Sequence, residues 1–196
     1  MGVSHIRRRT ESVRRAVIAM LRAVNVGGRN KIAMEDLRAL CSDLGLSNPK
    51  TYIQSGNVAF GTAEPDLARL ARRIEDEMER RCAFRTVAIL RTASDLRSVI
   101  AANPFAARAG IEPNKLHVTF LAADPGPEIC GTIRAIPTDP EELHIAGREM
   151  YCYFPNGAGQ SKLPTALIER TLRTPGTARN WNTVLKLLEM AETSIL

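Results

Sequence analysis

Arg22, Asn25, Gly27, Gly28, Arg29, Asn30 and Lys31 lie within ten residues of one another, three cations and two amides around a double glycine. Guanidinium, ammonium and amide groups all donate hydrogen bonds. Glycine lets backbone N–H groups turn toward a ligand, so the chemistry this set offers is recognition of an anion. A second polar set, Gln54, Ser55, Gly56 and Asn57, adds two amides and a hydroxyl next to another glycine. A third, Ser161, Lys162, Arg179 and Asn180, falls in polar stretches late in the chain and is a candidate second surface. None of these is a P-loop or a dinucleotide fingerprint.

The elements around these sets follow from hydrophobic period. An apolar strand at 16–22 feeds the first set, which leads into a helix at 33–44 ended by Gly45. Short strands at 51–54 and 58–60 flank a tight turn at Ser55, Gly56 and Asn57. Pro65 opens a helix whose apolar residues Leu67, Leu70, Ile74, Met78 and Cys82 keep helical spacing, and 87–90 closes the unit as a strand. The order is βαββαβ, a ferredoxin-like arrangement. In that order the first two strands run parallel, which brings 22–31 and 54–57 to the same end of the sheet.

Thr92 and Asp95 frame a capping box for a connecting helix that Asn103 and Pro104 end. A second copy follows, with a strand at 116–121, a helix at 128–135, and a hairpin of 142–146 and 150–154 around Gly147 and Arg148. It reads as a degenerate βαββ half without a clear closing strand, followed by C-terminal helices, the last anchored by Trp181. The fold class is therefore α+β, with residues 1–14 a disordered basic tail, 15–91 the first half and 92–196 the second, in one compact unit. The strands at 17–21 and 87–90 are apolar on both faces, so the face turned away from the helices needs a cover. The other half is the first candidate for it and a partner copy in a homodimer the second.

The net charge is +6, but five arginines against one glutamate fall in residues 1–15, and the remainder carries 22 basic and 20 acidic side chains. A nucleic-acid partner is therefore expected only through the tail. No segment is long and apolar enough for a membrane span or signal peptide. Cys41, Cys82, Cys130 and Cys152 are scattered without a C-x-x-C pair, and read as buried thiols of a cytoplasmic protein. His117 and His144 stand singly on different strands and read as sheet-surface residues. No metal or cofactor is expected, and no nucleophile, general acid or general base can be named.

The runs Leu21-Arg-Ala-Val-Asn-Val-Gly-Gly28, Thr51-Tyr-Ile-Gln-Ser-Gly-Asn-Val58 and Ala178-Arg-Asn-Trp-Asn-Thr-Val184 resemble those of the bacterial DUF1697 family, a domain of unknown function. The resemblance spans about residues 15–195, with Ala23 where the family has glycine. It implies a cytosolic α+β protein with a ferredoxin-like core and brings no activity with it. It adds weight to Arg22, Asn25, Gly27, Gly28, Ser55, Gly56, Asn57, Arg179 and Asn180. The functional expectation is binding of a phosphate-bearing or other anionic small molecule at the two loops. The alternatives are a phosphate-ester or acyl-phosphate hydrolase, with Arg22 or Arg29 on the phosphoryl oxygens and Asn57 orienting water, and a nucleic-acid-binding or structural protein.

Overall fold

The first strand, β1 (Arg15–Leu21), is buried at every residue but its first, and the rest of the architecture follows from covering both of its faces. A computed structural model describes residues 14–193. The basic tail therefore lies, Arg14 apart, outside the described residues. After β1 come α1 (Met34–Asp43), β2 (Ser47–Tyr52), β3 (Asn57–Thr62), α2 (Leu67–Cys82) and β4 (Ala88–Thr92). The four strands form an antiparallel sheet in the order β2-β3-β1-β4.

Local chemistry sets the boundaries. Helix α2 begins after Asp66, not at Pro65, because the Asp66 carboxylate accepts from the backbone N–H groups of Ala68 and Arg69. Its buried Leu70, Ile74 and Met78 recur every four residues and face the sheet. Each contributes about 1.5–3 kcal/mol by leaving water. The hairpin turn falls at residues 53–56 rather than at 55–57. Asn57 is already in β3, opposite Met20 on one side and Tyr52 on the other.

The chain continues through α3 (Ala93–Ala101), β5 (Leu116–Leu121), α4 (Gly126–Arg134), β6 (Glu142–Ala146), β7 (Glu149–Tyr153), α5 (Thr165–Leu172), β8 (Gly176–Asn180) and α6 (Trp181–Glu192). The expected capping box starts α3, with Thr92 and Asp95 exchanging backbone bonds. The second half is not truncated. Strand β8 pairs with β5 and closes a second antiparallel sheet, β6-β7-β5-β8, with the strand order of the first. Its sequence, Gly-Thr-Ala-Arg-Asn, has no apolar pattern by which it could be read as a strand.

The two sheets superpose in register. Ile18 faces Arg91 in the first and Val118 faces Arg179 in the second, while Met20 opposite Asn57 corresponds to Phe120 opposite Glu149. Inner-face residues of both sheets, among them Ile18, Met20, Val118 and Phe120, join α3 and α6 in a single central cluster. The doubly apolar strands are thus covered from within the chain. Helices α1 and α2 close the outer face of the first sheet, and α4 and α5 pack on that of the second.

Candidate functional site

The loop after β1 and the β2–β3 hairpin do meet. The Asn25 amide nitrogen donates to the carbonyls of Ile32 (3.0 Å) and Gln54 (2.8 Å), and its oxygen accepts from the Ile32 N–H. The Leu21 N–H donates to the Gly56 carbonyl at 2.8 Å. Asn30 donates to the Ala23 carbonyl, and Asn57 to the Tyr52 carbonyl and the Ser55 hydroxyl. These three amides hold the loops in shape, so their donors already have partners. Gly27 and Gly28, both left-handed, and Arg29 and Lys31 stay on the exposed rim. Gly56 has φ +71°, and a Cβ there would lie 2.9 Å from that of Leu21.

Backbone strain concentrates at this edge. Of the seven described non-glycine residues with left-handed φ, four are Ala23, Asn25, Asn30 and Ile53. The last is β-branched and 52% exposed, a costly combination of the kind that structures retain where other contacts fix it.

Arg179 is not on a surface. It is 7% exposed and reaches from β8 between the sheets into the first half. Its Nε donates to the Asn57 side-chain oxygen, Nη1 to the Thr177 hydroxyl and the Ala178 carbonyl, and Nη2 to the carbonyls of Leu21 (2.9 Å) and Ser55 (3.0 Å). All five donors of the guanidinium are used. Burial lowers its pKa to about 10, still far above neutrality, so the cation persists with no carboxylate among these partners.

At the matching position of β4, Arg91 mirrors it. Its Nε donates to Glu149 (2.9 Å), Nη1 to the Leu90 carbonyl, and Nη2 to the carbonyls of Leu121 and Arg148. Each half thus sends a buried arginine from its last strand into the first strand and hairpin of the other. Neither latch is legible locally, because the partners of Arg179 lie up to 158 residues away.

The remaining members of the late set divide. Asn180 caps α6 by accepting from the Asn182 N–H and donates to the Asn114 carbonyl. Lys162 is exposed. Ser161 lines a cavity of about 920 Å³ between the outer face of the second sheet and α5, and so does Arg22. The sheet side of that cavity carries His117, Thr119, Cys152 and Ala178, and the opposite wall Leu163, Ile168 and Leu172. Arg22, Glu169, Arg170 and Arg173 are its charged lining residues, with Arg22 Nη2 3.1 Å from Glu169 Oε2. Arg22 is fixed at the sheet end by its own backbone, its N–H on the Val87 carbonyl and its carbonyl on the Thr86 hydroxyl.

His117, expected on a sheet surface, lies on the outer face of the second sheet, where it lines this cavity edge-on to Phe154 with ring centroids 5.3 Å apart. Its Nδ1 is shut from solvent without a hydrogen-bond partner, and burial lowers its pKa. Burial pushes the Cys152 thiol up to about 12. Among the described residues no three His, Cys, Asp or Glu side chains are grouped to hold a metal ion, and no helix is long and apolar enough to cross a membrane.

Fold and site define an α+β protein of two matched halves that share buried arginines, with a ligand-sized cavity in the second. The chain belongs to the DUF1697 family, described as protein of unknown function, whose model matches residues 15–151. Among solved structures it is similar to the conserved bacterial protein SP0830 from Streptococcus pneumoniae. That match has 22% identity and a TM-score of 0.67, and covers 91% of this chain and 99% of that one. This likeness is one of fold. Among curated proteins the comparison found none that matches.

Proposed function

We propose that the protein binds a phosphate-bearing or other anionic small molecule, and that Arg22 is the group that engages it. One observation carries this reading. Arg22 directly follows the strand that leads into the cation-rich turn, and it also stands with Arg170 and Arg173 around a cavity of about 920 Å³, a volume typical of small-molecule sites. The binding centre therefore shifts from the turn itself, whose amides have backbone partners, to the edge where the turn meets the second half. Arg29 and Lys31 remain exposed on the turn as longer-range attraction for an anion. In its ferredoxin-like topology, the first half supplies the arginine and the second the cavity.

Binding is favoured over hydrolysis by the chemistry of the lining. A thiol raised to about 12 is almost wholly protonated at neutral pH, so Cys152 offers the cavity no thiolate nucleophile. The test is a thermal-shift panel of phosphate esters and carboxylates on the full chain, repeated with Arg22→Ala. Occupancy at a hundredfold above Kd stabilises by about 2.7 kcal/mol. A panel in which no anion moves the melting temperature removes the reading.

A further inference from the structure

We infer that the ligand is an organic acid with an apolar body, its anionic head at Arg22 and its body inside the second-half cavity. This rests on the anion-binding reading above and adds the class of molecule. The register of the two sheets carries it. On the outer face of the first sheet stand Val17, Ala19, Phe60, Ala88 and Leu90, and in the same positions of the second stand His117, Thr119, Cys152, Gly176 and Ala178. Phenylalanine has become cysteine and leucine has become alanine, the two large losses, while valine has become histidine and alanine threonine. Gly176 opens no space, since a Cβ there would lie 2.8 Å from Thr119 Cγ2 and 2.9 Å from Leu121 Cδ2.

The covering helix has shrunk in step. The 16 residues of α2 lay Leu70, Ile74 and Met78 on the first sheet, whereas the 8 residues of α5 bring down only Ile168 and Leu172. Where the first outer face is filled, the second is packed at Leu121, Met150 and Cys152 beneath α4 and α5 and is hollow beside Ala178. Cys152 and Ala178, which stand where the first sheet has Phe60 and Leu90, both line the hollow, and an apolar ligand body fills space those larger side chains would take.

Charge is confined to the exposed lining. Arg22, Glu169, Arg170 and Arg173 are the charged residues around the cavity, while the sheet side offers only neutral polar groups at His117 and Thr119. A charged group pushed inward would be desolvated without a counter-ion, so the head stays at the arginines. The Arg22–Glu169 pair has side chains 39% and 65% exposed. A pair so exposed is easily opened, which leaves Arg22 free to take the ligand's head. Carboxylate and phosphate heads share this chemistry.

The experiment is calorimetric titration of the full chain with octanoate, octyl phosphate, acetate, inorganic phosphate and octanol. Octanoate should bind at least ten times more tightly than acetate, or octyl phosphate than inorganic phosphate. Affinity within the favoured series should rise about fourfold per methylene until the cavity fills. Arg22→Ala should weaken the octyl anions tenfold or more, and Ala178→Phe should abolish their binding. Thr165→Trp, at an exposed lining position, provides a second block should Ala178→Phe unfold the protein.

Acetate and inorganic phosphate binding as tightly as their octyl counterparts, indifferent to both blocks, would overturn the apolar body and leave anion binding intact. Octanol matching the octyl anions, with Arg22→Ala silent, would overturn the anionic head. No binding by any probe would remove this inference and the reading beneath it together.

Discussion

The two halves share strand order, register and a buried arginine at the same position of the last strand, and they differ in what each arginine meets and in what lies on the outer face. Arg91 meets the carboxylate of Glu149, and Arg179 meets the amide of Asn57. The first outer face is filled by α2, and the second is left open under α5. A shared frame thus tolerates two solutions at each place. At the latch the choice is between a charged and a neutral acceptor. On the outer face it is between stability and space.

The largest effects are expected at the latches. Arg91→Met leaves the Glu149 carboxylate without its partner, its side chain only 17% exposed, and should cost about 3–5 kcal/mol. Arg179→Met leaves neutral acceptors at Asn57, Leu21 and Ser55 and should cost somewhat less, about 2–4 kcal/mol. Glu149→Gln makes the first latch resemble the second, at a cost near 1 kcal/mol. Guanidinium denaturation of the three variants checks the order, and Arg179→Met proving the costlier arginine variant would mean that the carboxylate does not distinguish the two.

The outer faces make the next contrast, with opposite signs at one register position. Leu90 is 6% exposed beneath α2, and Leu90→Ala should cost about 2–4 kcal/mol. Ala178→Leu restores the first half's residue beside an existing cavity and should be neutral or stabilise by up to about 1 kcal/mol. Comparable losses in the two variants would show that the second face is packed as tightly as the first.

Much of this frame is written locally. The first half is readable from period and punctuation: Leu70, Ile74 and Met78 at helical spacing, Gly45 at a helix end, and the Thr92–Asp95 capping box. Strand β8 is not, because its inward residues are polar: Thr177 accepts from Arg179, and Arg179 in turn reaches Asn57, Leu21 and Ser55 in the other half. The alternation of Leu116, Val118 and Phe120 with His117 and Thr119 reads as a strand with one wet face. Nothing local says that α5 roofs that face without filling it. The amides of Asn25, Asn30 and Asn57 read as ligand donors because the carbonyls they bond are invisible to a residue count. The visible signal was the shortness of the helical pattern before β8, read against the long one before β4.

The two hairpins offer a smaller contrast. Gly56 and Gly147 both have left-handed φ, +71° and +56°, but only Gly56 is crowded, a Cβ there meeting Leu21 at 2.9 Å against 3.9 Å to Asp124 at Gly147. Gly147→Ala should cost about 1 kcal/mol from backbone conformation alone. Gly56→Ala should cost about 2–3 kcal/mol, since crowding adds to strain. Equal midpoint shifts on denaturation would mean that the approach of Gly56 to β1 is not a packing constraint.

The smallest effect separates the halves by pH. Val17 cannot titrate, whereas His117 at the same position has its pKa lowered by burial. Below an unfolded value of about 6.5 the unfolded chain takes up a proton that the folded chain resists, so acidification draws the equilibrium toward unfolding. Stability should therefore fall as pH drops from about 6.5 through the lowered folded pKa, and be unaffected by this group above that window. The paired glutamates Glu64, Glu77 and Glu142, whose pKa values are lowered from 4.5 by arginine partners, lose their contribution only at more acidic pH. Denaturation midpoints of wild type and His117→Val between pH 5 and pH 7.5 isolate the term. The variant should be flatter, because it installs the first half's residue and removes a group on that face that titrates within this window, the Cys152 thiol being raised by burial to about 12, well above it. Parallel curves would place the source of any acid sensitivity elsewhere in the molecule, and would mean that the cavity wets His117 well enough to leave its titration ordinary.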